Sequence, residues 1–136
     1  MITYRDDIKN LPTEQLYRLF EQAGWVRNDT PQVQIEYFNA PFLSSTLVVS
    51  AWEDARLVGS VRVLSDGIIR SSLYDLVVDA EYRMRGIGAE LVRRCRAVYP
   101  NSEWLLQAAP DAVGFYEKLG FAVNNEMFLS IPSIYQ

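Results

Sequence analysis

The sequence predicts a mixed α/β fold, with one mostly antiparallel central sheet flanked by about four helices. Three observations predict it. The β-rich runs "TLVVSAW" (46–52) and "RLVGSVRVL" (56–64) are separated only by "EDA", the pattern of an antiparallel hairpin. Helix-period apolar residues stand on both sides of that hairpin: Leu16, Leu19 and Phe20 before it, and Ile87, Leu91, Val92, Cys95 and Val98 after it. Strand-like and helix-like runs alternate once more toward the C-terminus, with no repeat, linker or low-complexity tract between them.

Taken in order, "MITYR" (1–5) is a short first strand. Pro12 opens the first helix and Gly24 is placed to close it. Thr30 followed by Pro31 starts a second helix, because proline at the first helical position gives up an N–H that would be unpaired anyway. Its face, with Val33, Ile35, Tyr37 and Phe38, is less regular. "SDG" (65–67) turns the hairpin into a further strand, "IIRSSLYDLVVD" (68–79). After the helix that carries Leu91, "EWLLQAA" (103–109) reads as a strand. "PDAVGFYEKLG" (110–120) reads as a helix bounded by Pro110 and Gly120, and "FAVNNEMFLSI" (121–131) as a last strand.

A chain of 136 residues that is 49% apolar and 22% charged can bury a core without metal or disulfide staples, so one domain over 1–136 is expected. The lone cysteine, Cys95, excludes an internal disulfide or a cysteine metal cluster, and its place on the apolar stripe makes it a packing residue. Neither a signal peptide nor a membrane-spanning run is visible, so a cytoplasmic protein is expected, without membrane attachment.

The absence of histidine narrows the chemistry further. It excludes Ser-His-Asp and Cys-His pairs and histidine-bound zinc, and no metal is expected. Proton transfer must then use Asp, Glu, Tyr, Lys, Cys or water. A formal charge of -4 argues against nucleic-acid binding, while a local basic patch still suits one small anion.

Such a patch exists in "YRMRGIGAELV" (82–92). The start of a helix leaves backbone N–H groups unpaired and carries partial positive charge, and glycine lets an anion approach the backbone. Gly86 and Gly88 stand at that point, with Arg83 and Arg85 beside them. A plain strand-to-helix turn would use the same glycines. The loop lacks the Lys-Ser/Thr of a nucleotide P-loop and the third glycine of a dinucleotide fold, so a phosphate ester or pyrophosphate is the expected ligand.

These residues resemble a known family. Arg83-x-x-Gly86-x-Gly88 is similar to the R/Q-x-x-G-x-G/A acyl-CoA loop of the GCN5-related N-acetyltransferases (GNAT), and "FYEKLGF" (115–121) is similar to their helix-to-strand signature. The element order agrees along essentially the whole chain, and "LVGSVRVLSDG" and "YDLVVDAEYR" look most like small bacterial single-domain members and plant plastid relatives. Where many members carry an asparagine before the tyrosine, this chain has Ala109, which removes one expected contact to the coenzyme tail.

The resemblance implies the GNAT fold, acetyl-CoA as cosubstrate, and transfer of an acetyl group to a primary amine by direct attack in a ternary complex. A non-catalytic acyl-CoA-binding or sensing domain is the alternative. It places the cofactor along Leu76, Val77 and Val78 and on the loop Arg83, Met84, Arg85, Gly86, Ile87, Gly88 and Ala89, with Phe115, Tyr116 and Lys118 alongside. The backbone N–H near Leu76 would stabilise charge developing on the acyl oxygen. Tyr116 would protonate the departing thiolate, a phenol near pKa 10 serving a thiol near 8.5.

An amine protonated at pH 7 must also lose a proton. Asp75 is one acceptor, although strand alternation points it away from Leu76 and Val78; Glu36 and a water chain are others. Trp25, Tyr37 and Phe38 lie where related folds shape the acceptor site, and core packing explains them as well. Arg93, Arg94 and Arg96 read as a solvated helix face rather than a phosphate site. A protein-interaction module finds little support, since no large unpaired apolar or charged segment is evident. The chain is expected to be a monomer or a homodimer, the latter through the last strand and "SIPSIYQ".

Overall fold

A computed structural model describes residues 1–26 and 31–134. Its strands are β1 (Thr3–Arg5), β2 (Leu47–Glu53), β3 (Arg56–Ser65), β4 (Arg70–Val78) and β5 (Glu103–Leu105). Helices α1 (Thr13–Gln22), α2 (Gln32–Glu36) and α3 (Ala40–Leu43) lie between β1 and β2; α4 (Ile87–Val98) joins β4 to β5, and α5 (Val113–Glu117) follows β5. The sheet order is β1-β2-β3-β4-β5, antiparallel throughout except for the parallel pair β4–β5. The predicted mixed, mostly antiparallel sheet is therefore present.

Helices cover both faces of the sheet. On one side Ile87, Leu91, Val92 and Cys95 of α4 pack against Val49, Val61, Val63 and Leu73. On the other, Leu16, Leu19 and Phe20 of α1 and Phe42 of α3 pack against Val48, Leu57 and Val77. Alternating strand residues serve the two cores, as the two-residue period requires.

Local expectations differ from the structure in a few places. Val98 closes the predicted stripe of α4 but is partly exposed, standing in the last turn of the helix. The second predicted helix is two short helices, α2 and α3, with Pro41 in the first turn of α3; Thr30 lies outside the described residues, as does the side chain of Val33. The strand expected over 103–109 is assigned only to Glu103–Leu105. No strand forms over 121–131, although its composition favours one: a strand needs a partner edge for its backbone groups, and here the segment pairs with none of the described strands.

Candidate active site

Two departures from regular pairing shape β4. Its parallel pairing with β5 lasts only from Arg70–Ser72 against Glu103–Leu105, and beyond Ser72 the strands part. Farther along, Asp75 and Leu76 stand between the paired residues Tyr74 and Val77, whereas β3 has only Val61 between Arg62 and Ser60. This is a β-bulge, and Asp75 adopts the left-handed φ of 57° that it requires. Backbone groups of the second half of β4 are thus left without a β5 partner.

The bulge breaks the side-chain alternation. Tyr74 and Asp75 both meet Arg62: the guanidinium lies 5.2 Å from the Tyr74 ring centre, and its Nε donates to Asp75 Oδ2 at 2.6 Å. Leu76 and Val78 pack on the α4 side. Asp75 is therefore on the opposite side from Leu76 and Val78, with its carboxylate engaged.

The chain then turns at Asp79, a buried residue that the sequence reading missed. Its carboxylate accepts from the Glu81 amide at 2.9 Å and from Arg56 Nη2 at 2.9 Å, and its own N–H donates to the Val58 carbonyl at 2.8 Å. The signal was present in "DAEY": an aspartate ahead of a turn, positioned to cap it. Arg83 Nε donates to the Val78 carbonyl at 3.2 Å, and Arg85 donates to the Glu81 carbonyl while lying 4.9 Å from the Tyr82 ring centre. Both arginines are thus tied back toward the end of β4.

Gly86, with φ of 81°, brings the backbone into α4, and a side chain there would meet nothing within 4 Å. The first bond of the helix runs from the Glu90 amide to the Gly86 carbonyl, so the amides of Ile87, Gly88 and Ala89 have no acceptor within the helix. These amides form a donor set suited to a pyrophosphate. At Gly88 a Cβ would stand 3.4 Å from Phe115 and 3.7 Å from Val78, so the loop, β4 and α5 meet there.

Tyr116 projects from α5 with its ring edge-on to Phe115 (5.0 Å) and Phe121 (5.7 Å). Burial raises its hydroxyl above the ordinary tyrosine value, and among the described residues that hydroxyl has no hydrogen-bond partner. Tyr116 borders a cavity of about 620 Å³ that opens where β4 and β5 part, with Leu73, Trp104 and Leu106 on the same wall. Those three residues were not anticipated, since apolar strand positions carry no mark of which stretch will be left unpaired.

Other expected residues lie elsewhere. Trp25 and Phe38 pack edge-on around Phe20, with centroids at 5.2 and 5.0 Å, and Tyr37 is exposed; none of the three borders this cavity. Glu36 and Lys118 are at the surface. Arg93 and Arg94 pair with Glu90, and Arg96 donates to the Leu119 carbonyl at 2.6 Å, so all three have partners within the chain. Cys95 is buried, and its thiol is pushed up to about 12, far from a reactive thiolate.

Residues 25–130 match the family model of the acetyltransferase (GNAT) domain. The chain belongs to the GNAT family. It is an N-acetyltransferase, a transferase built on the GNAT fold. Among its relatives, the uncharacterized N-acetyltransferase ycf52 of Pyropia yezoensis is 30% identical over 122 residues, covering 87% of this chain and 69% of the alga's protein. GCN5-related N-acetyltransferase 1, chloroplastic, of Arabidopsis thaliana is 28% identical over 120 residues, 86% of this chain and 59% of that protein. In three dimensions the GNAT chain superposes on a Deinococcus radiodurans R1 crystal structure assigned as an acetyltransferase, with a TM-score of 0.78, 31% identity and coverage of 97% and 94%.

Proposed function

We propose that this GNAT domain, acting as one unit over 1–136 in the cytoplasm, moves an acetyl group from acetyl-CoA directly to a primary amine while both are bound. The observation that carries this reading is the combination of three features: the open amides of α4 that follow Arg83 and Arg85, the second half of β4 without a β5 partner, and Tyr116 on the cavity between the parted strands. Bound acetyl-CoA supplies an activated thioester. Ile87, Gly88 and Ala89 donate backbone N–H groups to its pyrophosphate, and Arg83, Met84 and Arg85 bring the loop and its charge to the same place.

Val77 and Val78 offer strand backbone to the coenzyme arm, and the Leu76 amide is directed at the acyl oxygen, where a fixed donor is worth most as charge develops. Phe115 flanks the arm from α5, beside Gly88. Tyr116 stays protonated because burial raises its hydroxyl, which holds the proton needed by the leaving sulfur. With Asp75 held by Arg62, the amine's proton leaves through water.

The test is CoA release across a panel of arylalkylamines, polyamines, amino sugars and peptide amines, run with wild type and Tyr116→Phe. Turnover with one class and a kcat loss of roughly 10²–10⁴ in the variant, with acetyl-CoA affinity retained, is expected. Acetyl-CoA binding with no turnover on any amine would support the sensing alternative instead.

A further inference from the structure

Arg96 stands in the last turn of α4, on what the sequence reads as a solvated helix face. Its guanidinium is nevertheless directed at another element. Nη1 donates to the Leu119 carbonyl at 2.6 Å, and Cζ lies 5.6 Å from the centre of the Phe121 ring. Arg93 and Arg94, by contrast, pair with Glu90 on their own helix. A planar guanidinium can donate in its plane while its face lies over an aromatic ring, which suits arginine to this double contact.

Leu119 and Phe121 belong to the turn that ends α5. The Phe121 amide donates to the Tyr116 carbonyl at 3.2 Å and the Gly120 amide to the Glu117 carbonyl at 3.0 Å, with Gly120 at a φ of 97°. This is the Schellman pattern, and the apolar contact that accompanies it is the Tyr116–Phe121 ring pair, 5.7 Å between centres. The turn fixes Tyr116 against Phe121 and leaves the Leu119 carbonyl to Arg96.

A helix of five residues has too few internal bonds to hold itself in place. Among the described residues, no other element of the fold shares a hydrogen bond with residues 113–121. At the other end of α5, Phe115 lies against the start of α4, where a Cβ on Gly88 would stand 3.4 Å from its ring. Tyr116 is thus held between two supports on one helix, positions 88 and 96, about 12 Å apart along its axis. The first turn of that same helix carries the open amides of Ile87, Gly88 and Ala89.

We propose that Arg96 is a positioning residue for Tyr116: it clamps the end of α5 onto the last turn of α4 and so fixes the phenol relative to the coenzyme loop at the first turn. Arg96 does not border the cavity, so it acts through Tyr116. This role rests on the reading of Tyr116 as the acid for the leaving thiolate, whereas the clamp itself can be observed without turnover.

Arg96→Met keeps the apolar stem of an exposed side chain and removes both contacts, so its circular dichroism should match wild type. In full-length protein carrying isotope-labelled tyrosine, the Tyr116 ring signal, assigned by its loss in Tyr116→Phe, should shift toward that of an exposed tyrosine. The Gly120 and Phe121 amides should exchange with solvent at least about tenfold faster, while Leu91 and Val92 in α4 stay protected. With an acceptor amine in hand, the single-turnover rate of Arg96→Met should fall at least about tenfold with acetyl-CoA affinity unchanged by calorimetry, and the substitution should cost nothing more in Tyr116→Phe. An unmoved Tyr116 signal in folded Arg96→Met would overturn the clamp. A rate loss that recurs in full in the Tyr116→Phe background would overturn action through Tyr116. A wild-type rate in Tyr116→Phe alone would instead remove the acid assignment, and with it the catalytic half of the proposal, while the ring signal still decides the clamp.

Discussion

Arg62 Nε donates to Asp75 Oδ2 at 2.6 Å at the one residue of β4 that takes a left-handed backbone conformation. Arg62 also lies over the Phe42 ring, 5.9 Å from its centre, so one guanidinium ties the bulge to the α3 side of the molecule. The pair is partly buried, and what Asp75 does in the reaction follows from how it responds to substitution.

Asp75→Asn keeps a side chain that tolerates left-handed φ and can still accept from Arg62, so urea denaturation should show a loss of about 1 kcal/mol or less. Asp75→Val combines a strained backbone with an unpaired Arg62 and should lose about 2–4 kcal/mol. If Asp75 only holds the bulge, kcat in Asp75→Asn stays within a few-fold of wild type. A drop of roughly 10²–10⁴ with stability retained would make Asp75 the proton acceptor.

Gly86 and Gly88 should respond oppositely to alanine. At Gly86, φ of 81° makes any Cβ strained, and Gly86→Ala should cost about 1–2 kcal/mol. Gly88 has an ordinary φ and room for a Cβ at 3.4 Å, so Gly88→Ala should fold at least as well as wild type. Gly86→Asp adds negative charge at the open amides, and calorimetry should show acetyl-CoA affinity reduced at least about tenfold.

Acetyl-CoA binding should weaken as salt is raised, because Arg83 and Arg85 are exposed charges that ionic strength screens. Arg85→Ala should flatten the salt dependence, since its bond to the Glu81 carbonyl holds the loop only weakly. An affinity equal at 50 mM and 500 mM salt would remove the polyanion from this loop.

High pH should destabilise the fold through Cys95. Burial raises its thiol from 9.0 to about 12, so folding favours the protonated form. That contribution is complete below pH 9 and is lost as pH rises from 9 toward 12, amounting to about 4 kcal/mol at the upper end. Tyr116, also raised by burial, adds in the same direction above pH 10. Denaturation midpoints at pH 8 and pH 11 should differ less in Cys95→Ala than in wild type, with the variant about 1 kcal/mol weaker at pH 8 from the space left behind.

What the sequence by itself determined were features written in local chemistry. The hairpin, the buried stripe of α4 from Ile87 to Cys95, the glycine turn at Gly86 and the paired Phe115–Tyr116 signature each depend on spacing of three or four residues, or on a backbone conformation that one residue type favours. The tertiary structure decided what depends on a partner far along the chain. Asp75 reads as an ordinary strand residue until Arg62, thirteen positions earlier, draws it into a bulge. Asp79 reads as one more acidic residue until Arg56 meets it under the turn. The half of β4 without a β5 partner exists because the two strands pair over only three residues before they part. The segment at 121–131 shows the same division most plainly: its residues favour a strand, but a strand is completed by hydrogen bonds from another edge, and propensity alone cannot supply that edge.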